Sequence, residues 1–248
     1  MKTLWSYSVY GDDFKRYYDP LLTTINLISE RIDLEILIST TEDSYTSVNN
    51  TFGKFRNVRV RCLKYLCHPV NYRFLDLNEN YDFISFKDSD SVVTFEEIDY
   101  ENAAKKEGSP YVIRANEYHF FPIMAGLWGI PNKMIADLNS IKEEFIRSIH
   151  YSSLSDQLVL SKFFYSKISK VGLFYTTKFA FVNENIKIIP RSLEIGGNEH
   201  AQFSKVYHSL IPKSIVVLPK GFTRYKLFIQ KQIFRLRSIL ILSHLFKQ

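Results

Sequence analysis

Cysteine is scarce in this sequence, and long apolar runs are missing. Only Cys62 and Cys67 occur in 248 residues. They lie too close together, and too alone, to frame a small domain. A disulfide scaffold is therefore excluded and a reducing compartment is expected. No stretch reaches the roughly 18 uninterrupted apolar residues of a membrane span. The opening MKTLWSYSVYGDD meets Gly11 and two aspartates before any long hydrophobic segment develops, unlike a signal peptide. The expectation is a cytoplasmic protein, in the host cytoplasm if the chain is viral. Repeats, low-complexity tracts and Pro/Gly-rich linkers are also missing, which argues for one domain over residues 1–248.

The last absence is charge of one sign. No Asp or Glu follows Glu199, while nine Lys and Arg do. The chain carries +6 overall and +9 in that tail, so the preceding part carries −3. The segment RYKLFIQKQIFRLRSILILSHLFK mixes these bases with Leu, Ile and Phe. That pattern suits a basic helix lying on an anionic membrane, or a last helix packed on the domain with its bases outward. An acidic body with a basic tail suggests an enzyme with a charged attachment surface. The tail alone also suits a non-catalytic nucleic-acid-binding protein, whose binding would fall steeply with salt.

What is present is a globular balance, 46% hydrophobic and 23% charged, with 20 Phe and 16 Tyr that promise an aromatic core. Periodicity predicts strands over residues 4–10, 34–38, 58–62 and 81–86. Helices are predicted over 20–31, with Asp19 as N-cap and Pro20 at N1, over 42–52, and over 95–106. The last of these has Thr94 and Glu97 at capping-box spacing and stops at Gly108. Beyond it lie a strand at 111–114, a helix over 132–149, a helix opened and capped by Ser155, and a strand at 171–174. Alternating strand and helix implies a mostly parallel α/β sheet, in which ligands sit beyond the carboxyl ends of the strands. Residues 201–248 are read as the basic helical tail.

The stretch YDFISFKDSDSVV ends an apolar run at Asp88-Ser89-Asp90. A strand reaching the surface would do the same. A hard divalent ion, Mn²⁺ or Mg²⁺, would also take two such carboxylates and complete its shell with phosphate oxygens and water. Paired aspartates on an α/β sheet also occur in nucleotidyltransferases and phosphatase-like enzymes, which need further acids. A zinc site at Cys62, Cys67 and His68 falls short of four ligands.

Five short segments, in order, resemble the GT-A nucleotide-sugar glycosyltransferases, more closely a group of small bacterial and viral members. They are SVYG (8–11), NYRF (71–74), KDSDSVVTFEE (87–97), IRANEYHFFPIMAGLWG (113–129) and SDQLVL (155–160). The group reads SLYG, WRF, RDxDSR…RE, RDH…H…ILGGMWG and DQ at these places, and the resemblance covers residues 4–165. This chain departs from it at Lys87, Val92 and the triplet Arg114-Ala115-Asn116. The resemblance implies a single-domain GT-A fold, with residues 1–110 as the nucleotide-binding part and 111–200 as the donor-sugar and acceptor part, and a hexosyl- or deoxyhexosyl-transferase. Its donor would be a nucleoside diphosphate sugar, UDP first, and its acceptor a glycan, with no nucleic acid involved. It implies that Asp88 and Asp90 hold the metal and that Ser8, Tyr10, Gly11, Arg73, Ser89, Trp128 and Gln157 bind the donor. Arg114, His119 and Gly126 fall in the acceptor region, and Asp156 becomes the catalytic base or a sugar contact. Each has a structural alternative: a turn glycine at Gly11, a core tryptophan at Trp128, a structural histidine at His119, a helix-dipole partner at Asp156. His200 and His208 are candidates for a third metal ligand.

Overall fold

The computed structural model describes residues 1–28, 31–77, 80–116, 119, 121–148, 155–177, 179–181, 183–190, 192, 195–196 and 216–218. The predicted C-terminal helix, His200 and His208 lie outside the described residues.

Eight strands form one sheet in the order β3-β2-β1-β4-β6-β5-β7-β9. They are β1 (Thr3–Val9), β2 (Leu34–Thr40), β3 (Val58–Cys62), β4 (Phe83–Lys87), β5 (Tyr111–Arg114), β6 (Leu127–Pro131), β7 (Leu173–Thr176) and β9 (Asn185–Ile188). Strands β8 (Phe179–Phe181) and β10 (Val216–Leu218) pair separately and in parallel. Within the large sheet only β6 runs against its neighbours, β4 and β5. The expected mostly parallel, helix-flanked α/β sheet is thus present.

Helices cover both faces because alternate strand side chains are apolar on both. On one face Trp5, Tyr7 and Val9 meet Leu21 and Ile25 of α1 (Asp19–Leu27) and Val48 and Phe52 of α2 (Glu42–Phe52). On the other, Ile84, Phe86 and Trp128 pack against Phe74, Phe145 and Phe164. Trp128 stacks on Phe86 with centroids 4.5 Å apart, a pairing worth about 0.5–1.5 kcal/mol beyond its buried area. The aromatic core expected from composition is present.

Several boundaries differ from expectation. A π-helical turn, Phe14–Tyr18, runs straight into α1, so Asp19 is its first residue and not its cap; Asp13 caps the turn by accepting from the Arg16 N–H at 3.0 Å. Helix α1 ends at Leu27. The single helix expected over 132–149 is a 3-10 turn followed by α4 (Ile135–Asn139) and α5 (Lys142–Arg147). The break falls at Ser140, whose hydroxyl donates to the Asp137 carbonyl at 2.7 Å and so offers the backbone a non-helical alternative. Strand β7, expected from Val171, begins at Leu173 and leaves Val171 exposed.

Helix α3 (Phe95–Glu107) shows half of the expected capping box. Thr94 Oγ1 accepts from the Glu97 N–H at 3.2 Å. The Glu97 carboxylate turns inward instead and meets Lys87 Nζ at 3.2 Å. Glu101 joins them, 3.9 Å from Lys87 and 2.7 Å from Lys105, and accepts from the Trp5 indole at 2.9 Å. These charges are buried and paired, and they clamp α3 beneath the strand that delivers the D-x-D. At the far end Gly108, at φ 60°, supplies the left-handed residue that stops the helix. Among the described residues no helix is long and apolar enough to cross a membrane.

Candidate active site

The sheet order reverses at β1, with β2 and β3 on one side and β4 on the other. β1 and β4 are parallel, with Ser6 opposite Phe86, so their carboxyl ends emerge side by side. A cleft of about 270 Å³ opens there, where an α/β sheet has its switch point.

The floor of the cleft is Arg73, on a 3-10 helix, Pro69–Phe74. Serines at the end of β1 strap that helix down. Ser8 Oγ accepts from the Arg73 N–H at 2.8 Å and donates to the Val70 carbonyl at 3.2 Å, and Ser6 Oγ donates to the Arg73 carbonyl at 2.7 Å. Arg73 is buried, and its fork spans two carboxylates. Nη1 donates to Asp88 Oδ1 at 2.5 Å and to the Lys87 carbonyl at 2.9 Å; Nη2 donates to Asp156 Oδ2 at 2.7 Å. The structure pairs Arg73 with Asp88 and adds Asp156, 83 residues away.

Asp156 sits in the first turn of α6 (Ser155–Val159) and is buried. Burial pushes its carboxyl up to about 6, with Arg73 pulling the other way. Its Oδ1 accepts from the Gln157 N–H at 2.6 Å. Ser155 was expected to cap this helix. It is instead the first helical residue, and its hydroxyl donates to Asn71 Oδ1 at 3.3 Å, tying α6 to the 3-10 helix.

Asp88 directly follows β4 and its side chain is 40% exposed. Across the antiparallel pair, Lys87 faces Leu127, which places Gly126 against Asp88. A Cβ on Gly126 would overlap the Asp88 carboxylate. Gly126→Ala is therefore expected to push that carboxylate off Arg73 and to cost about 1–3 kcal/mol. Urea unfolding reads this directly; an unchanged midpoint would mean the carboxylate has room. Ser89 Oγ donates to the Ser8 carbonyl at 3.1 Å. The Asp90 side chain is 19% exposed, and Arg16 Nη2 lies 3.8 Å from it.

Eight of the residues singled out in the sequence line this one cleft: Ser8, Tyr10, Arg73, Asp88, Ser89 and Asp90, with Asp156 and Gln157 from α6. Gly11, at φ 79°, turns the chain beside them, its N–H held by Ser44 Oγ at 2.9 Å. Gly11 and the other four are not in the lining. Gly126 lies behind Asp88. Trp128 is fully buried, covered by Phe86, Phe74 and Phe164, so it offers no face to a sugar. Arg114 is buried and bidentate with Glu184, at 2.8 and 2.7 Å. That pairing is structural, between the end of β5 and the residue before β9. His119 is buried, and its Nδ1 accepts from the Ala115 N–H at 3.2 Å.

Four lining residues escaped the sequence reading: Arg16, Tyr17, Val70 and Gly196. Arg16 and Tyr17 come from the π-helical turn, a local form often found at functional sites. Tyr17 faces Tyr10 with centroids 5.8 Å apart, and His68 meets Tyr10 edge-on at 5.7 Å. Burial raises both tyrosine hydroxyls, Tyr10 to about 12. They are neutral near pH 7.

Two carboxylates with cleft-facing oxygens, Asp88 and Asp90, fit a hard divalent ion that shares its shell with phosphate. Among the described residues no cluster of three or more His, Cys, Asp or Glu could hold an ion by itself.

TarS 1-349 of S. aureus in complex with UDP is similar in structure, with a TM-score of 0.44 and 16% identity over 64% of this chain and 54% of that one. Mannosyltransferase PcManGT from Pyrobaculum calidifontis, in complex with GDP-Man and Mn²⁺, gives a TM-score of 0.45 and 10% identity over 78% and 58%. Galactosyltransferase LgtC, in complex with donor and acceptor sugar analogs, gives 0.45 and 11% over 90% and 99%. The chain spans about half the length of the TarS structures it matches. No protein-family model and no curated protein matches it.

Proposed function

We propose that the chain is a glycosyltransferase that moves a sugar from a nucleoside diphosphate, UDP first, to a glycan hydroxyl. The observation that carries this reading is the convergence of Asp88, Asp90 and Asp156 on one cleft at the β1–β4 switch point, beside a tyrosine pair. In this reading the Tyr10 ring offers an apolar face to the nucleobase, and Gly11 lets the backbone come close to it. Asp88 and Asp90 hold Mn²⁺ or Mg²⁺, which when bound stabilises the charge that develops on the departing diphosphate. Arg73 keeps the Asp88 carboxylate aimed and prevents the Asp88 and Asp156 carboxylates from repelling one another. Asp156 is the proton acceptor for the attacking hydroxyl: a desolvated carboxyl near 6 is well matched to general base work around neutral pH. The acid-free tail is proposed to bring the chain to an anionic surface bearing its acceptor.

A thermal-shift screen of UDP, GDP and CMP, each with and without Mn²⁺, tests the donor half. Ligand at about 100 times its Kd adds about 2.7 kcal/mol, which for a chain of this size is a rise of roughly 5 °C or more. The expected result is such a rise with UDP, larger with Mn²⁺ than without. A melting point indifferent to every nucleotide would overturn the reading.

A further inference from the structure

We propose that Arg16 is the guanidinium that receives the donor's diphosphate, and that it leaves Asp90 to do so. This rests on the donor-site reading above and assigns a residue to it that the sequence motifs do not contain.

Among the described residues two guanidinium groups line the cleft, and they differ in availability. Arg73 is committed through its terminal nitrogens: it is buried, and both are hydrogen-bonded to carboxylates, one also to a carbonyl, while Nε has no partner among the described residues. Moving it to a phosphate would strand Asp156 as a buried, unpaired charge. Arg16 is the opposite case. Its side chain is 46% exposed, and its ion pair with Asp90 spans 3.8 Å, beyond hydrogen-bond distance. An exposed pair at that separation contributes little and is exchanged at little cost.

The backbone beneath it is held all the same. The Arg16 N–H donates to Asp13 Oδ1 at 3.0 Å, and the guanidinium carbon lies 5.0 Å from the Tyr17 ring centroid, which steadies the side chain along the cleft wall. A planar fork of donors then stands beside the carboxylate assigned to the metal. A divalent ion held by Asp90 would replace a guanidinium that lies 3.8 Å away. Arg16 exchanges a distant carboxylate for phosphate oxygens it can grip in pairs.

Calorimetric titration of the full chain with UDP and with uridine, at fixed Mn²⁺, tests the assignment in wild type, Arg16→Ala and Arg16→Lys. The expected result is a roughly ten- to hundredfold weaker UDP affinity in Arg16→Ala, with Lys in between and uridine affinity unchanged. Without nucleotide, Mn²⁺ should bind Arg16→Ala at least as tightly as wild type, because a competing cation has gone. UDP affinity equal to wild type in Arg16→Ala would overturn the assignment and leave the donor site standing. Parallel losses of UDP and uridine would move Arg16 to the base slot and also overturn it. A wild-type chain that binds neither ligand would overturn the donor site itself, and this assignment with it.

Discussion

Asp88→Asn and Asp90→Asn are each expected to lower sugar transfer by about a thousandfold or more while leaving the fold intact. The magnitude follows from the several kcal/mol that a divalent ion contributes to a departing diphosphate, at about 1.4 kcal/mol per factor of ten. Asparagine suits the test because it keeps the shape. At position 88 its carbonyl oxygen can still accept from Arg73, and its outline still fits against Gly126. What it removes is the charge a hard cation needs. Position 90 differs, since Arg16 there loses a weak partner. UDP released from a UDP-sugar is the readout, with the melting temperature as the control on folding. Wild-type turnover in both variants would remove the metal assignment altogether.

The sequence made the sheet and its edge legible for local reasons. Val-Arg-Val-Arg alternation marked β3, and the Thr94 and Gly108 stops bounded α3 within a residue. The D-x-D followed a buried apolar run, so its place at a strand's carboxyl end could be read without coordinates. Burial that depends on a distant partner could not. Arg114 looked available for an acceptor because its partner, Glu184, lies 70 residues on. Trp128 looked like a sugar platform because its cover comes from Phe74, Phe86 and Phe164 on three other segments. Glu97 resembled an ordinary capping-box acid because nothing local shows that Lys87 turns inward beneath it. Arg16 and Tyr17 were passed over for a different reason. A π-helical turn has no simple periodicity, and the spacing around Asp19-Pro20 directed attention one turn too late.

Arg73→Met should be the most destabilising of the substitutions considered, by about 3–5 kcal/mol in urea unfolding, because it leaves Asp156 buried without its cation. Methionine fills much of the same volume, so most of the loss is electrostatic and not a cavity effect. Two consequences separate this account from simple loss of packing. First, adding Asp156→Asn should recover part of the loss, since the stranded charge goes while the carbonyl oxygen can still accept from the Gln157 N–H. The two substitutions should then be clearly non-additive. Second, the loss should depend on pH. Burial already holds the Asp156 carboxyl near 6, above the unfolded value of about 3.9, and removing Arg73 removes a force that lowers it. A carboxyl whose folded pKa is raised binds its proton more tightly in the native state. Its contribution to stability therefore falls as pH rises from the unfolded value through the folded one. Arg73→Met should accordingly lie closest to wild type near pH 5 and furthest from it at pH 8. Unfolding curves of the four chains at both pH values check both consequences. Additive losses with no pH dependence would mean that Arg73 contributes only its bulk, and that Asp156 is held at the cleft by something other than the guanidinium.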